Sequence, residues 1–253
     1  MLNKHLYDKD SSIFQRYIAL TTQKPILAHK VVSKIETQFP NKVISFLDIG
    51  CGDGTVTISV LEKLAGAKQV TTTCIEPSRD LINDFRQNTD IKVKFIEKNV
   101  ETLSQLPKSD FILISHVLSY VKNPRALFDK VFKALTTDGI TLVVVNNPNS
   151  DDSIIKRQLS IDDDNTNLSI DLQAILGQQK TPHHVEIVES TIDVSGCKSM
   201  NYDGKTIIEF FKHQRFEDIP SNDIAKMRNA ILSLATTDNL LIKREDYIWI
   251  KKR

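Results

Sequence analysis

Three glycines lie within one five-residue window, although the whole chain of 253 residues contains only eight. Gly50, Gly52 and Gly54 follow the β-branched and aromatic run Val43–Ile49, which predicts a buried strand. They precede Thr55–Leu64, where apolar residues recur at helical spacing. The window is therefore predicted to be a strand-to-helix turn. Its backbone can adopt positive φ and approach a ligand closely.

An acidic residue follows the next predicted strand. Gln69–Ile75 predicts that strand, Glu76 comes directly after it, and Pro77 and Ser78 open another helix. In nucleotide-binding α/β folds an acid at this place accepts hydrogen bonds from ribose hydroxyls. Two alternatives remain for the glycine turn: it only packs strand on helix, or it binds a nicotinamide dinucleotide. The dinucleotide fingerprint, however, requires a third glycine at position 55, which is threonine.

Strand and helix signals alternate through the first 150 residues. Further strands are predicted at Val93–Ile96, Asp110–Ser115 and Ile140–Val145, with a helix that Asn123 caps and Pro124 begins. This alternation predicts an α/β fold with a mainly parallel sheet covered on both faces. Ligands of such sheets bind beyond the carboxyl ends of the strands. That edge would carry the turn, Glu76 and the residues that end the third and fourth strands: Asn99, Val100, Ser115 and His116.

The segment Phe46–Thr55 resembles the first motif of class I S-adenosylmethionine-dependent methyltransferases. The resemblance implies a Rossmann-like sheet of seven strands, with helices on both faces and a C-terminal antiparallel hairpin. It also implies S-adenosylmethionine as cofactor, with its methionine part at the turn, its ribose at Glu76, its adenine near the third strand and its reacting end near the fourth. The expected cofactor-binding residues are Asp48, Gly50, Cys51, Gly52, Glu76, Pro77, Asn99, Val100 and Ser115.

Three shorter stretches are similar to the histamine N-methyltransferase group: Glu76–Ser78, Leu118–Asn123 and Thr191–Cys197. In that group a substrate-contacting amide follows the fourth strand, where this chain has His116. The N-terminal acid that holds the amine is matched here by Gln23, which departs from the pattern. The resemblance implies methyl transfer to a small-molecule acceptor, with nitrogen as the expected acceptor atom. Methylation of RNA or protein, and a non-catalytic S-adenosylmethionine-binding module, are the alternatives.

His116 and Tyr120 are the expected catalytic residues. An imidazole exchanges protons near neutral pH, so His116 is a candidate general base for an amine; alternatively, it only hydrogen-bonds the substrate or a neighbouring helix. Tyr120 could line the same cavity with an aromatic wall that favours a cation, or it could belong to the core.

The resemblance and the remaining pattern predict one methyltransferase domain over 1–253. We divide it into an N-terminal helical cap (1–40), a cofactor-binding core (41–149) and a substrate lobe with the terminal strands (150–253). In the lobe, a helix over 169–176 is expected to end at Gly177. The N-terminal helices predicted at 12–20 and 25–35 would either form a lid over the substrate or pack on the sheet.

The composition limits the kinds of partner that the chain is expected to bind. Lysine and arginine total 33 against 32 acids, so binding to nucleic acid through bulk charge is not expected. The sequence has no apolar segment of signal-peptide or membrane-spanning length, which favours a cytoplasmic protein without a membrane partner. No metal site is expected. The three cysteines lie far apart, adjacent His183 and His184 would point to opposite faces, and Asp162–Asn167 reads as a polar loop. Nothing in the sequence predicts an oligomeric state.

Overall fold

A computed structural model describes residues 11–40, 43–161 and 167–252. In chain order the strands are β1 (Ile44–Ile49), β2 (Val70–Ile75), β3 (Lys94–Ile96), β4 (Ser109–Ser115), β5 (Leu135–Asn146), β6 (His183–Asp193) and β7 (Leu240–Lys251). The helices are α1 (Ser11–Ala19), α2 (Gln23–Gln38), α3 (Thr55–Leu64), α4 (Arg79–Gln87), α5 (Pro124–Ala134), α6 (Asp151–Gln158), α7 (Leu168–Gln178), α8 (Gly196–Ser199), α9 (Tyr202–Lys212) and α10 (Ser221–Leu234).

The strands form one seven-stranded sheet in the order β3-β2-β1-β4-β5-β7-β6. The pairs from β3 to β5 are parallel, and the C-terminal strands form the antiparallel hairpin. The predicted Rossmann-like fold is therefore confirmed. The order reverses between β1 and β4, and in open α/β sheets this switch point is where ligands bind at the carboxyl ends of the strands.

The chain divides into two compact units. One comprises 1–24, 147–166 and 188–245, and the other comprises 25–146, 167–187 and 246–253. The single-domain organisation with its three segments therefore stays a prediction. The second unit contains β1 to β5, and its core is built from buried aliphatic side chains of the strands and of α5, such as Leu47, Ile112 and Val131. The first unit has its own core, in which the Tyr17 ring of α1 stacks on Phe210 at a centroid distance of 3.5 Å.

Most element boundaries agree with the sequence pattern to within a few residues. Asn123 caps α5 as expected, because its Oδ1 accepts a hydrogen bond from the Ala126 N–H at 3.0 Å. Two boundaries were wrong. α7 does not end at Gly177 but continues to Gln178, and Lys180 rather than Gly177 is the residue of positive φ (+52°) beyond the helix end. β5 begins at Leu135, five residues before the predicted start, because polar residues between 136 and 138 conceal the strand pattern.

No helix in the described part of the chain is long and apolar enough to span a bilayer. The N-terminal helices are present as α1 and α2, and α1 packs on α9 within its own unit. A lid function for this segment stays a prediction. Residues 1–10 and most of the predicted polar loop Asp162–Asn167 lie outside the described residues.

Candidate cofactor and active site

Strand register aligns the residues that the sequence pattern placed at one edge of the sheet. Ile49 of β1 pairs with Ile75 of β2 and with Ile114 of β4. Gly50, Glu76 and Ser115 follow these three residues directly, so they lie at the same level of the sheet edge, with Ser115 as the last residue of β4. The structure therefore brings together the first, second and fourth of the expected strand ends.

The glycine turn has the backbone conformation that its sequence predicts. Gly50, Gly52 and Gly54 have φ of +75°, +57° and +78°. A Cβ on Gly50 would lie 2.3 Å from Val117 Cγ2, and one on Gly54 would lie 2.0 Å from Phe85 Cδ2, so both positions exclude a side chain. At Gly52 nothing lies within 4 Å of the corresponding position. The backbone at Gly52 is therefore open to a ligand.

Glu76 connects the end of β2 to this turn. Its Oε2 accepts a hydrogen bond from the Gly52 N–H at 3.1 Å, and its Oε1 accepts one from the Ser78 N–H at 2.9 Å. The residue is only 6% exposed. Burial raises the pKa of this carboxyl, and the two backbone hydrogen bonds act in the opposite direction. The carboxylate is thus held at the turn, where its remaining lone pairs can accept hydrogen bonds from paired hydroxyl groups.

Asp48 lies beneath the turn, on β1. It is buried and accepts a hydrogen bond from the Thr57 hydroxyl of α3. Burial raises the pKa of Asp48 to about 7, since the Thr57 hydrogen bond lowers it less and the nearby Glu76 carboxylate raises it further. Sequence reasoning missed Thr57. The available signal was a threonine on the inner face of the helix that follows the turn.

The other expected cofactor residues differ in exposure. Cys51 is half-buried, and its Sγ donates to the Gly52 carbonyl oxygen at 3.7 Å; the neighbouring Cys74 thiol and burial raise the Cys51 pKa, so the thiol is protonated at neutral pH. Pro77 is exposed. Beyond β3, Asn99 is exposed and its Oδ1 accepts a hydrogen bond from the Glu101 N–H at 2.8 Å, whereas Val100 is buried.

His116 stands next to the turn in a strained conformation. Its φ is +55°, and its N–H donates to the Val144 carbonyl oxygen at 3.0 Å. The following residue, Val117, occupies the space beside Gly50 that a Cβ would need, so His116 is adjacent to the glycine turn. Sequence reasoning missed Val117. Tyr120 is 43% exposed and lies in a short 3-10 turn, Leu118–Tyr120, so the core alternative for this residue was wrong.

The site fits an adenosyl cofactor by its own geometry. The Gly52 N–H is already bound by Glu76, but the open space beside Gly52 lets a ligand approach the backbone closely, and the buried carboxylate of Glu76 can receive the ribose. Within the described residues no group of histidine, cysteine and acidic side chains is arranged to bind a metal. The adjacent His183 and His184 are both exposed at the start of β6.

Comparison with known proteins agrees with this geometry. Residues 47–141 match the family model for a methyltransferase domain. The chain is 26% identical over 144 residues to a malonyl-[acyl-carrier protein] O-methyltransferase of Priestia megaterium, and the match covers 56% of this chain and 52% of that protein. The chain thus spans about half the length of the curated relatives that it matches.

Solved structures share the fold. The plantazolicin methyltransferase BpumL, in complex with a triazolic desmethylPZN analog and SAH, superposes with a TM-score of 0.59 at 18% identity, over 98% of this chain and 93% of that one. A Thermotoga maritima protein described as a possible histamine N-methyltransferase gives a TM-score of 0.56 at 11% identity, over 98% and 99%. Residues 47–141 are therefore similar to a methyltransferase domain, and the chain as a whole shares the fold of these solved methyltransferase structures.

Proposed function

We propose that the chain transfers a methyl group from S-adenosylmethionine to a small-molecule acceptor, at nitrogen. The observation that carries this proposal is the contact between Val117 and Gly50, because it brings His116 beside the turn that would hold the methionine part. The backbone of residues 50 to 52 would bind that part, and Glu76 would bind the ribose. When bound, the cofactor supplies an electrophilic methyl group on a sulfonium.

The main task of the chain is alignment. Displacement at a methyl group requires the attacking lone pair, the methyl carbon and the sulfur to lie in line, and the leaving group departs without charge. Holding two reactants in such an arrangement can contribute roughly 7 to 11 kcal/mol. The turn and Glu76 would hold the cofactor. The methyl acceptor would lie near His116, at the end of the neighbouring strand β4.

The strained backbone of His116 supports a role at the reacting end. A residue other than glycine at positive φ costs about 1 to 2 kcal/mol, and such strain persists only where surrounding contacts hold it. Here the hydrogen bond to Val144 holds it. A protonated amine must lose a proton before it can attack, and the His116 imidazole would accept that proton directly or through a water molecule.

A second acceptor class is favoured by one comparison. The Priestia megaterium relative is an O-methyltransferase for a malonyl group on a carrier protein. A carboxylate acceptor is already deprotonated at neutral pH and therefore needs no base. The role of His116 distinguishes the two classes: it matters for an amine and is dispensable for a carboxylate.

Product formation tests the proposal. The purified chain would be incubated with S-adenosylmethionine and separate pools of amines, imidazoles and carboxylates, and the demethylated cofactor measured by mass spectrometry. We expect product with the amine or imidazole pool. His116→Gln should lower kcat by about a hundredfold or more. Product from carboxylates alone would refute nitrogen, and cofactor binding without product from any pool or from a metabolite extract would indicate a binding module.

A further inference from the structure

A groove of basic character lies in the second unit, away from the cofactor edge. One wall is a face of α2 that carries Lys30 and Lys34, and the other is formed by the first residues of β6 and the last residues of β7. The side chains that determine its chemistry are Lys30, Lys34, His183, His184, Trp249 and Lys251. β6 begins here and β7 ends here, whereas the cofactor residues follow the carboxyl ends of β1, β2 and β4. The groove is therefore at the opposite edge of the sheet.

The groove carries positive charge that the chain does not neutralise. Its one acid, Glu186, is occupied: Lys30 forms an ion pair with it, and Trp249 Nε1 donates a hydrogen bond to it at 3.2 Å. Lys34 Nζ lies 5.2 Å from the centre of the Trp249 ring. Among the described residues, no acid pairs with Lys34 or with Lys251. Two lysine charges therefore face the groove without a carboxylate.

An open strand edge adjoins these charges. β6 is the last strand of the sheet, and in the described chain no strand pairs with the outer side of residues 183 to 187. Ile187 on this stretch is 60% exposed. An edge of this kind presents unpaired backbone N–H and C=O groups that can pair with another extended chain.

We propose that this groove and edge form a docking surface for an acidic, extended segment of a partner protein. The segment adds as a strand to residues 183–187 of β6 and places its carboxylates beside Lys34 and Lys251. Charge complementarity selects an acidic segment, while the open backbone and Ile187 select an extended one. Docking at this edge leaves the cofactor turn accessible.

Fluorescence anisotropy tests the proposal with a labelled peptide of alternating glutamate and valine. We expect saturable binding to the full chain, weaker by about fivefold or more for the variant with Lys34→Ala and Lys251→Ala. The matched control carries Lys63→Ala and Lys226→Ala, two exposed lysines outside the groove, and should bind as the unchanged chain does. Equal affinity for both variants would overturn the proposal.

Three further probes separate the components of recognition. A peptide with glutamine in place of glutamate should lose most of its affinity, and a peptide with alternating glutamate and proline should not bind, because proline cannot donate to the edge strand. Unchanged binding of the glutamine peptide would refute the contribution of charge. Unchanged binding of the proline peptide would refute pairing with the edge strand. A single-stranded DNA of similar charge should compete poorly. Equally tight DNA binding would show a general polyanion site and overturn the proposal.

Discussion

The Gly52 N–H donates to the Glu76 carboxylate at 3.1 Å, which joins the glycine turn after β1 to the end of β2. The same carboxylate also accepts from the Ser78 N–H. Two backbone donors therefore fix the position and orientation of a nearly buried acid at the edge where two strands end. A group held in this way is preorganised for a ligand, since little conformational freedom is lost when the ligand binds.

Removal of the Glu76 carboxylate should weaken cofactor binding. Hydrogen bonds to a charged group contribute about 1.5 to 3 kcal/mol each, so Glu76→Ala should raise the Kd for S-adenosylmethionine by at least about tenfold. Glu76→Gln keeps the shape but not the charge and should show an intermediate loss. Titration calorimetry measures both. Glu62→Ala, at an exposed acid of α3, is the matched control and should leave the Kd unchanged. An unchanged Kd for Glu76→Ala would remove this residue from the site.

A methyl group on Gly50 should disturb both the turn and the neighbouring strand end. Its Cβ would lie 2.3 Å from Val117 Cγ2, and its φ of +75° is unfavourable for alanine. We expect Gly50→Ala to lower the free energy of unfolding by about 2 to 4 kcal/mol, from overpacking and backbone strain together. Urea denaturation measures this change.

Two companion variants separate the causes at Gly50. Adding Val117→Ala to Gly50→Ala should restore the part of the unfolding free energy that is lost through overpacking. It should not restore the part that is lost through backbone strain. Gly177→Ala should instead raise the free energy of unfolding by about 0.5 to 1 kcal/mol, because Gly177 lies inside α7 with open space around it. A Gly50→Ala variant as stable as the unchanged chain would contradict the observed contact with Val117.

The geometry of the strand ends that we propose for the cofactor was predictable from the sequence because its signals are local. Glycines of positive φ, a strand pattern and an acid after the next strand each lie within a short window, and parallel register then aligns their ends. Val117 and Thr57 could not be found in this way. Their roles depend on which side chains meet across β1, β4 and α3, and such contacts are set by packing between distant segments. The division into two units likewise depends on contacts that no local pattern reports.

Asp48 should make the stability of the protein depend on pH. Its pKa in the folded chain is raised to about 7 by burial, above the usual value of about 3.9 that it has when unfolded. The folded state therefore binds more protons between these values, so this residue makes stability fall as pH rises from about 4 to about 7. Asp48→Asn should flatten this fall. Urea midpoints at acidic and mildly basic pH measure the effect, and a variant with the same pH slope as the unchanged chain would contradict it.

The buried pair of Asp152 and Lys243 in the first unit should make stability depend on pH in the opposite direction. Burial raises the Asp152 pKa, but Lys243 at 3.1 Å, Lys156 and the Ser150 hydroxyl together outweigh burial and lower it to about 2. The contribution of Asp152 is therefore complete above about pH 4 and lost as pH falls toward 2. Lys243→Met would leave the buried Asp152 carboxylate without the cation that contacts it, with only Lys156 nearby, and should cost up to about 3 to 5 kcal/mol at neutral pH.

The matched variant combines Lys243→Met with Asp152→Asn. It removes both charges, so it should be more stable at neutral pH than Lys243→Met alone, since the Asp152 carboxylate no longer remains buried without the lysine that contacts it. Both variants would be compared by urea denaturation and by near-ultraviolet circular dichroism, which reports on the packing of Tyr17 and Phe210 in the same unit. A double variant no more stable than the single one would show that the Asp152 charge is tolerated without Lys243, because Lys156 and the hydrogen bonds from Ser150 and Ser153 suffice.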